Sequence, residues 1–489
     1  MTLIRRFLAM TLMLSTAPTI FAASERADAI DLRSQDCPAT DDIPRGAICM
    51  RATVPEDYDK PAGRMIGLDI VILKAMRHEA SSVPLFVLQG GPGDRTTRTA
   101  GDEAEMWAKF RRAHDLVFVD QRGNGETPEL GCAAEMATSP SLATDLWPAA
   151  QLAACARRLT MSADLSRYTT TDAARDVHNV RAALGYAKIN IVGYSYGTRL
   201  AQEVLRRDSS AVHAALLIGP EAPAMAVPAG MAQLAQQSLA AIVDRCKADA
   251  ACAAAWPDVD GDLERLQQRL VRSSFALHTK SGNLEADIGP GVIASYLRTR
   301  LYWAEGAVTL PRIIHALSDP QRDQAELAAI AAWRKDFDTR APWGMYMAVT
   351  CAEDFPFVDE DAERRAAEGT FLGNYRIDQQ AAACRAWPRA EPNAKVHAPV
   401  VSSVPTLLLV GEFDPATPSR FTPGIVASLA HSRTIVVPNR GHSMPEEWNV
   451  CLGKISTSFL ETADETHLDA ACVKRLRLPS FVTMPVPAN

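Results

Sequence analysis

Ile189-Asn190-Ile191-Val192-Gly193-Tyr194-Ser195-Tyr196-Gly197-Thr198 passes from a short apolar run, through a serine with a glycine two residues away on either side, into a helical pattern over residues 198–207. A short apolar, β-branched run reads as a buried strand. Gly-x-Ser-x-Gly between a strand and a helix is the setting in which a serine is lifted on a tight turn above the strand ends, exposed as a nucleophile. The turn is so tight that the positions two residues to either side must lack side chains. The competing reading, an ordinary glycine-flanked turn, requires no partner residues elsewhere in the chain.

Working outward, residues 83–88, 116–119, 214–218, 406–410 and 434–437 are further short apolar runs followed by Gly, Pro or Asp. Helical patterns separate them, most clearly over residues 171–184, so the chain alternates strand and helix as an α/β sheet does. Residues 47–54 and 66–73 read as a strand pair that opens the sheet in antiparallel fashion. From residue 221 to 396 the texture changes to Ala-rich helical stretches, among them 231–247, 262–272 and 323–337. The expected fold is an α/β-hydrolase with a mostly parallel central sheet and a large helical cap inserted before the last strands. The expected division is 1–22 signal peptide, 23–220 first part of the core, 221–396 cap, and 397–489 C-terminal part of the core.

An attacking serine needs a base, and the base needs a carboxylate to fix its tautomer and stabilise the imidazolium. Gly411-Glu412-Phe413-Asp414-Pro415 follows one late strand and Asn439-Arg440-Gly441-His442-Ser443 follows the last. The order Ser195, Asp414, His442 is that of the hydrolase fold, and each residue sits just past the C-terminal end of a strand, where open α/β sheets gather their sites. A lone Asp before Pro also reads as a turn, and a lone His as a surface loop residue; Glu412 and Asp354 are the next candidates for the acid. The oxyanion donors expected are the amides of Tyr196 and of Gly91, the latter in Gln89-Gly90-Gly91-Pro92-Gly93.

Of the 489 residues, 47% are hydrophobic and 22% charged, ordinary globular usage. A net charge of -7 without clustered basic residues argues against a nucleic-acid partner. Arg5 and Arg6, the apolar run 7–14 and the small residues near Ala22 read as an export signal, too short to anchor in a bilayer. The ten cysteines are an even count suited to an oxidising compartment, secreted or periplasmic, and pair most simply in sequence order. None has a second cysteine two to four positions away, so a metal is not expected.

Gly90-Gly91-Pro92-Gly93, Asp120-Gln121-Arg122-Gly123-Asn124-Gly125, the Ser195 turn and the late Asp414 and His442 segments together resemble the proline iminopeptidase and tripeptidyl aminopeptidase family of α/β-hydrolase serine peptidases. Length, export signal and the cysteines near the C-terminus resemble its secreted tripeptidyl aminopeptidase branch, whereas Gln89 departs from the His that many relatives carry there. The resemblance implies hydrolysis of short peptides from the free N-terminus under a helical cap, without metal or cofactor. A substrate ammonium bound under a cap requires a carboxylate. Glu221 in Gly219-Pro220-Glu221-Ala222 and Glu353 in Glu353-Asp354 are the candidates, with Glu353 favoured by the resemblance. An esterase or amidase would use the same triad, and a non-catalytic binding protein would not need to keep it. Trp333, Trp343, Tyr346, Phe355 and Phe357 could wall a pocket or pack as plain core.

Overall fold

The computed structural model describes residues 28, 30–77, 83–125, 129–137, 145–272, 274–279, 281–340, 342–445 and 448–484; the expected export signal lies outside them. Nine strands form one sheet in the order β1-β2-β3-β5-β4-β6-β7-β10-β11. They are β1 (Asp31–Gln35), β2 (Ile48–Pro55), β3 (Met65–Leu73), β4 (Leu85–Leu88), β5 (Leu116–Val119), β6 (Ile189–Tyr194), β7 (Val212–Ile218), β10 (Thr406–Gly411) and β11 (Ser432–Val437). β1 to β3 run antiparallel and β3 pairs antiparallel with β5. From β5 to β11 every pairing is parallel. β8 (Phe275–His278) and β9 (Leu284–Ile288) make a separate antiparallel hairpin inside the mainly helical insertion between β7 and β10.

Side chains on a strand alternate between faces, and the sheet is covered on both. Phe86, Leu88, Val117, Ile191, Leu217 and Leu408 enter one buried cluster, while Leu85, Val87, Leu116, Phe118, Val192, Leu216, Leu407 and Leu409 enter the other. The insertion has its own core, including Leu239, Ile242, Ile293, Leu310, Leu327 and Phe371, joined by Phe413 from the loop after β10. Its later helices, Trp343–Val349 and Tyr375–Ala386, instead bury Trp343, Met345, Ile377 and Cys384 in the sheet's own core. The insertion is thus tied to the sheet at its far end as well as at its root.

All ten cysteines are bonded, in sequence order: Cys37–Cys49, Cys132–Cys155, Cys246–Cys252, Cys351–Cys384 and Cys451–Cys472. Such bonds typically contribute ~2 to 5 kcal/mol each, mainly by restricting the unfolded chain. Thiol titration of the denatured, unreduced protein should accordingly find no free thiol. Two or more per chain would contradict this pairing.

Candidate active site

Ser195 sits between β6 and the helix Tyr196–Asp208, with φ +52°. A non-glycine residue in that region costs ~1 to 3 kcal/mol, so the surroundings must hold it there. Its amide donates to Ile218 O at 3.0 Å, and the amide of Thr198 donates back to Ser195 O at 2.8 Å. The flanking glycines are obligatory. A Cβ on Gly193 would lie 2.5 Å from Gly197 O, and one on Gly197 would lie 2.0 Å from Leu88 O.

His442 and Asp414 come together as their positions after β11 and β10 suggest. His442 Nδ1 and Asp414 Oδ2 are 2.8 Å apart. The amides of Ala416 and Thr417 and the Thr417 hydroxyl also donate to Asp414, at 2.7, 2.8 and 2.9 Å. Burial alone would raise the Asp414 pKa, but the His442 charge and these hydrogen bonds outweigh it and hold the carboxyl below its ordinary value. Asp414 is therefore a carboxylate fixed on one side of the imidazole. Ser195 and His442 face one cavity of about 600 Å³.

Two residues that sequence reasoning missed set the imidazole from other sides. Gly219 has φ +58°, and a Cβ there would stand 2.8 Å from His442 Cε1. The Tyr302 ring packs edge-on at 4.9 Å, and Tyr302 O accepts the Ser443 amide at 2.8 Å. A glycine straight after a strand end is a weak signal for such a close approach; the Tyr302 contact, made from the insertion, leaves no local signal.

The Gln89–Gly93 loop lies directly against the serine: a Cβ on Gly90 would meet Ser195 Cβ at 3.0 Å. Gly91 has φ +106°, and Gly90, Gly91 and Tyr196 all line the cavity. The Asp120–Gly125 segment braces this loop. Gln121 Nε2 donates to Gln89 O at 2.8 Å, Asn124 Nδ2 to Asp94 O at 3.2 Å, and Asp120 accepts the Thr97 amide at 2.8 Å. Arg122, fully buried, forks onto Asp176 and donates to Glu56 O and Arg167 O. Gln89, in place of the expected histidine, donates to Glu103 at 2.9 Å. Burial pushes Glu103 up to about 7 despite donors from Tyr194, Trp107 and Gln89.

Residues 83–260 match the family model described as alpha/beta hydrolase fold, and residues 369–472 match one described as TAP-like protein. The serine protease Hip1 of Mycobacterium tuberculosis is 25% identical over 463 residues, 86% of each chain. The tripeptidyl aminopeptidase of Streptomyces lividans is 31% identical over 194 residues, 36% of each chain. These matches agree with the resemblance to the proline iminopeptidase and tripeptidyl aminopeptidase family of α/β-hydrolase serine peptidases. Among solved structures, the proline iminopeptidase of Mycobacterium smegmatis matches at 17% identity and TM-score 0.39, over 84% of this chain and 97% of that one.

In this serine peptidase the two acidic spots separate. Glu353 does not line the cavity: its carboxylate accepts the Thr170 amide at 2.6 Å and the Thr170 hydroxyl at 2.5 Å, and that hydroxyl contacts Tyr196 Oη. It caps the start of the helix Thr170–Ala183 and steadies the residue after Ser195. The neighbouring Asp354 does line the cavity, as does Glu221. Arg199, one helical turn past Ser195, joins them, with Nη1 2.7 Å from Asp354 and Nη2 2.9 Å from Glu221. Burial pushes Glu221 up to about 7 against the pull of Arg199, and Asp354 is raised by burial too. Two cavity carboxylates thus share one guanidinium, leaving up to one negative charge unmatched. Of the five aromatic residues singled out in the sequence, Trp343 and Tyr346 line the cavity; Trp333, Phe355 and Phe357 do not.

Proposed function

We propose that the chain is an exported serine exopeptidase that removes one or a few residues from the free N-terminus of short peptides. Ser195 Oγ attacks the scissile carbonyl and His442 takes its proton, oriented and stabilised as imidazolium by Asp414. The amides of Gly91 and Tyr196 donate to the oxyanion. His442 returns the proton to the leaving amine, and water then hydrolyses the acyl-enzyme on Ser195 by the same route reversed. Five disulfides support export, being the usage of an oxidising compartment. The insertion 221–396 serves as the cap, a role supported by the Tyr302, Tyr346 and Arg376 side chains that line the cavity.

The observation that carries the exopeptidase reading is the Glu221–Arg199–Asp354 cluster in the cavity that Ser195 faces. A buried surplus of negative charge is what a substrate ammonium needs in order to leave water. The test is a panel of amino-acid, dipeptide and tripeptide chromogenic amides, each with a free and an acetylated N-terminus. Free-amine substrates should be preferred, and the preference should grow as pH rises through about 7, where Glu221 ionises. Glu221→Gln should lower kcat/KM for free-amine peptides by about 2 kcal/mol or more, roughly 30-fold, while affecting a small uncharged ester far less. Equal hydrolysis of free and acetylated peptides would instead favour an esterase or amidase on the same triad.

A further inference from the structure

The cavity has a second charged region, of opposite sign. Ser295, Arg298, Thr299 and Tyr302 all line it, spaced i, i+3, i+4 and i+7 along the helix Pro290–Arg300 and the turn that follows. Tyr375 and Arg376, opening the helix Tyr375–Ala386, line it too. The Arg298 side chain has no ion pair or hydrogen bond among the described residues; its guanidinium lies 5.1 Å from the Tyr302 ring centre and its Nε is buried without a partner. Arg376 is 8% exposed, stacks 3.7 Å over the Trp147 ring and donates to Gln380 and Tyr346, both neutral. Burial first, and the Arg298 charge in addition, hold the Arg376 pKa below its ordinary value.

Two other buried arginines of this chain face carboxylates: Arg122 has Asp176, and Arg199 has Glu221 and Asp354. Four acidic residues line the cavity, and none contacts Arg298 or Arg376. Glu103 is bonded to Gln89, Trp107 and Tyr194, Glu221 and Asp354 are held by Arg199, and Asp94 is raised by burial alone. A buried Arg376 guanidinium beside a half-buried Arg298, with no counter-charge on either, is costly unless an anion arrives. Planar guanidinium groups suit a carboxylate.

We propose that Arg298 and Arg376 form a subsite for a carboxylate of the peptide substrate, so that the enzyme prefers peptides that place a carboxylate there. This rests on the exopeptidase reading and specifies its substrate class. Tyr302 lies 4.9 Å from the His442 ring centre and 5.1 Å from the Arg298 guanidinium, which bounds the separation of those two groups at about 10 Å. An extended residue spans ~3.3 to 3.6 Å, so the carboxylate belongs within about three residues of the scissile bond. It is either an acidic side chain or the C-terminal carboxylate of a short peptide.

The test compares kcat/KM for free-amine tripeptide anilides with Glu, Gln or Lys at each position in turn. A second arm compares neutral tetrapeptides with a free or an amidated C-terminus. At least one arm should favour the carboxylate by about tenfold or more, and Lys should be the poorest residue at the same position. Arg298→Gln should cut that ratio several-fold and Arg298→Lys should restore part of it. The arm that responds identifies the source of the carboxylate. If the wild-type enzyme hydrolyses neutral peptides but favours the carboxylate in neither arm, the subsite is overturned and the exopeptidase reading stands. If it hydrolyses none of these free-amine peptides, both fall together. A preference undiminished in both Arg298→Gln and Arg376→Gln would also overturn the assignment.

Discussion

Ser195→Ala is expected to lower turnover by roughly 10⁶ while leaving the fold intact. The hydroxyl is the only group lost, and the turn that presents it is held by other atoms: the Ser195 amide on Ile218 O, the Thr198 amide on Ser195 O, and the glycines at 193 and 197. Alanine keeps the Cβ packed against Gly90 and pays the same cost for φ +52°. Circular dichroism and thermal melting should therefore match wild type, and only steady-state hydrolysis should fall. A variant that keeps more than about a hundredth of wild-type turnover would remove Ser195 as the nucleophile.

Asp414→Asn should cost about 10⁴ in turnover, less than losing the nucleophile. Asp414 accepts from two backbone amides, a hydroxyl and the imidazole, and it is ionised because those donors outweigh burial. An asparagine keeps the shape but can present its NH₂ to Nδ1, which favours the wrong imidazole tautomer and removes the charge that stabilises imidazolium. Retention of more than a tenth of wild-type turnover would mean that another acid orients His442. Glu412 is poorly placed for that role, since its carboxylate accepts the Asn439 amide and pairs with Arg245. Asp354 is engaged by Arg199.

The placement of Ser195, Asp414 and His442 was legible because each follows an apolar strand run, which sets both its element and its end of the sheet. β1 escaped notice because Asp-Leu-Arg-Ser-Gln is a polar edge strand with nothing to bury on one side. The hairpin β8–β9 was hidden by its shortness and its exposed Leu284 and Glu285. The acidic cluster was half legible. Glu221 follows β7 as a strand-end residue would, but Glu353 and Asp354 are consecutive on the helical turn Thr350–Asp354 and point in different directions. Which of two neighbours faces the cavity depends on the phase of that turn, set by packing far away in the chain. Arg199, Gly219, Tyr302, Arg298 and Arg376 act through contacts across the insertion or between strand ends, and residue type alone does not announce them.

The most direct measurement is an acid-quench experiment with a free-amine tripeptide ester, followed by intact mass and peptide mapping. The expected result is a covalent adduct with the mass of the N-terminal acyl fragment, on the peptide that carries Ser195, absent from Ser195→Ala and much reduced when the same substrate is acetylated. An adduct on another residue, or one formed equally from free and acetylated substrate, would contradict a free-amine-dependent acyl-enzyme on Ser195.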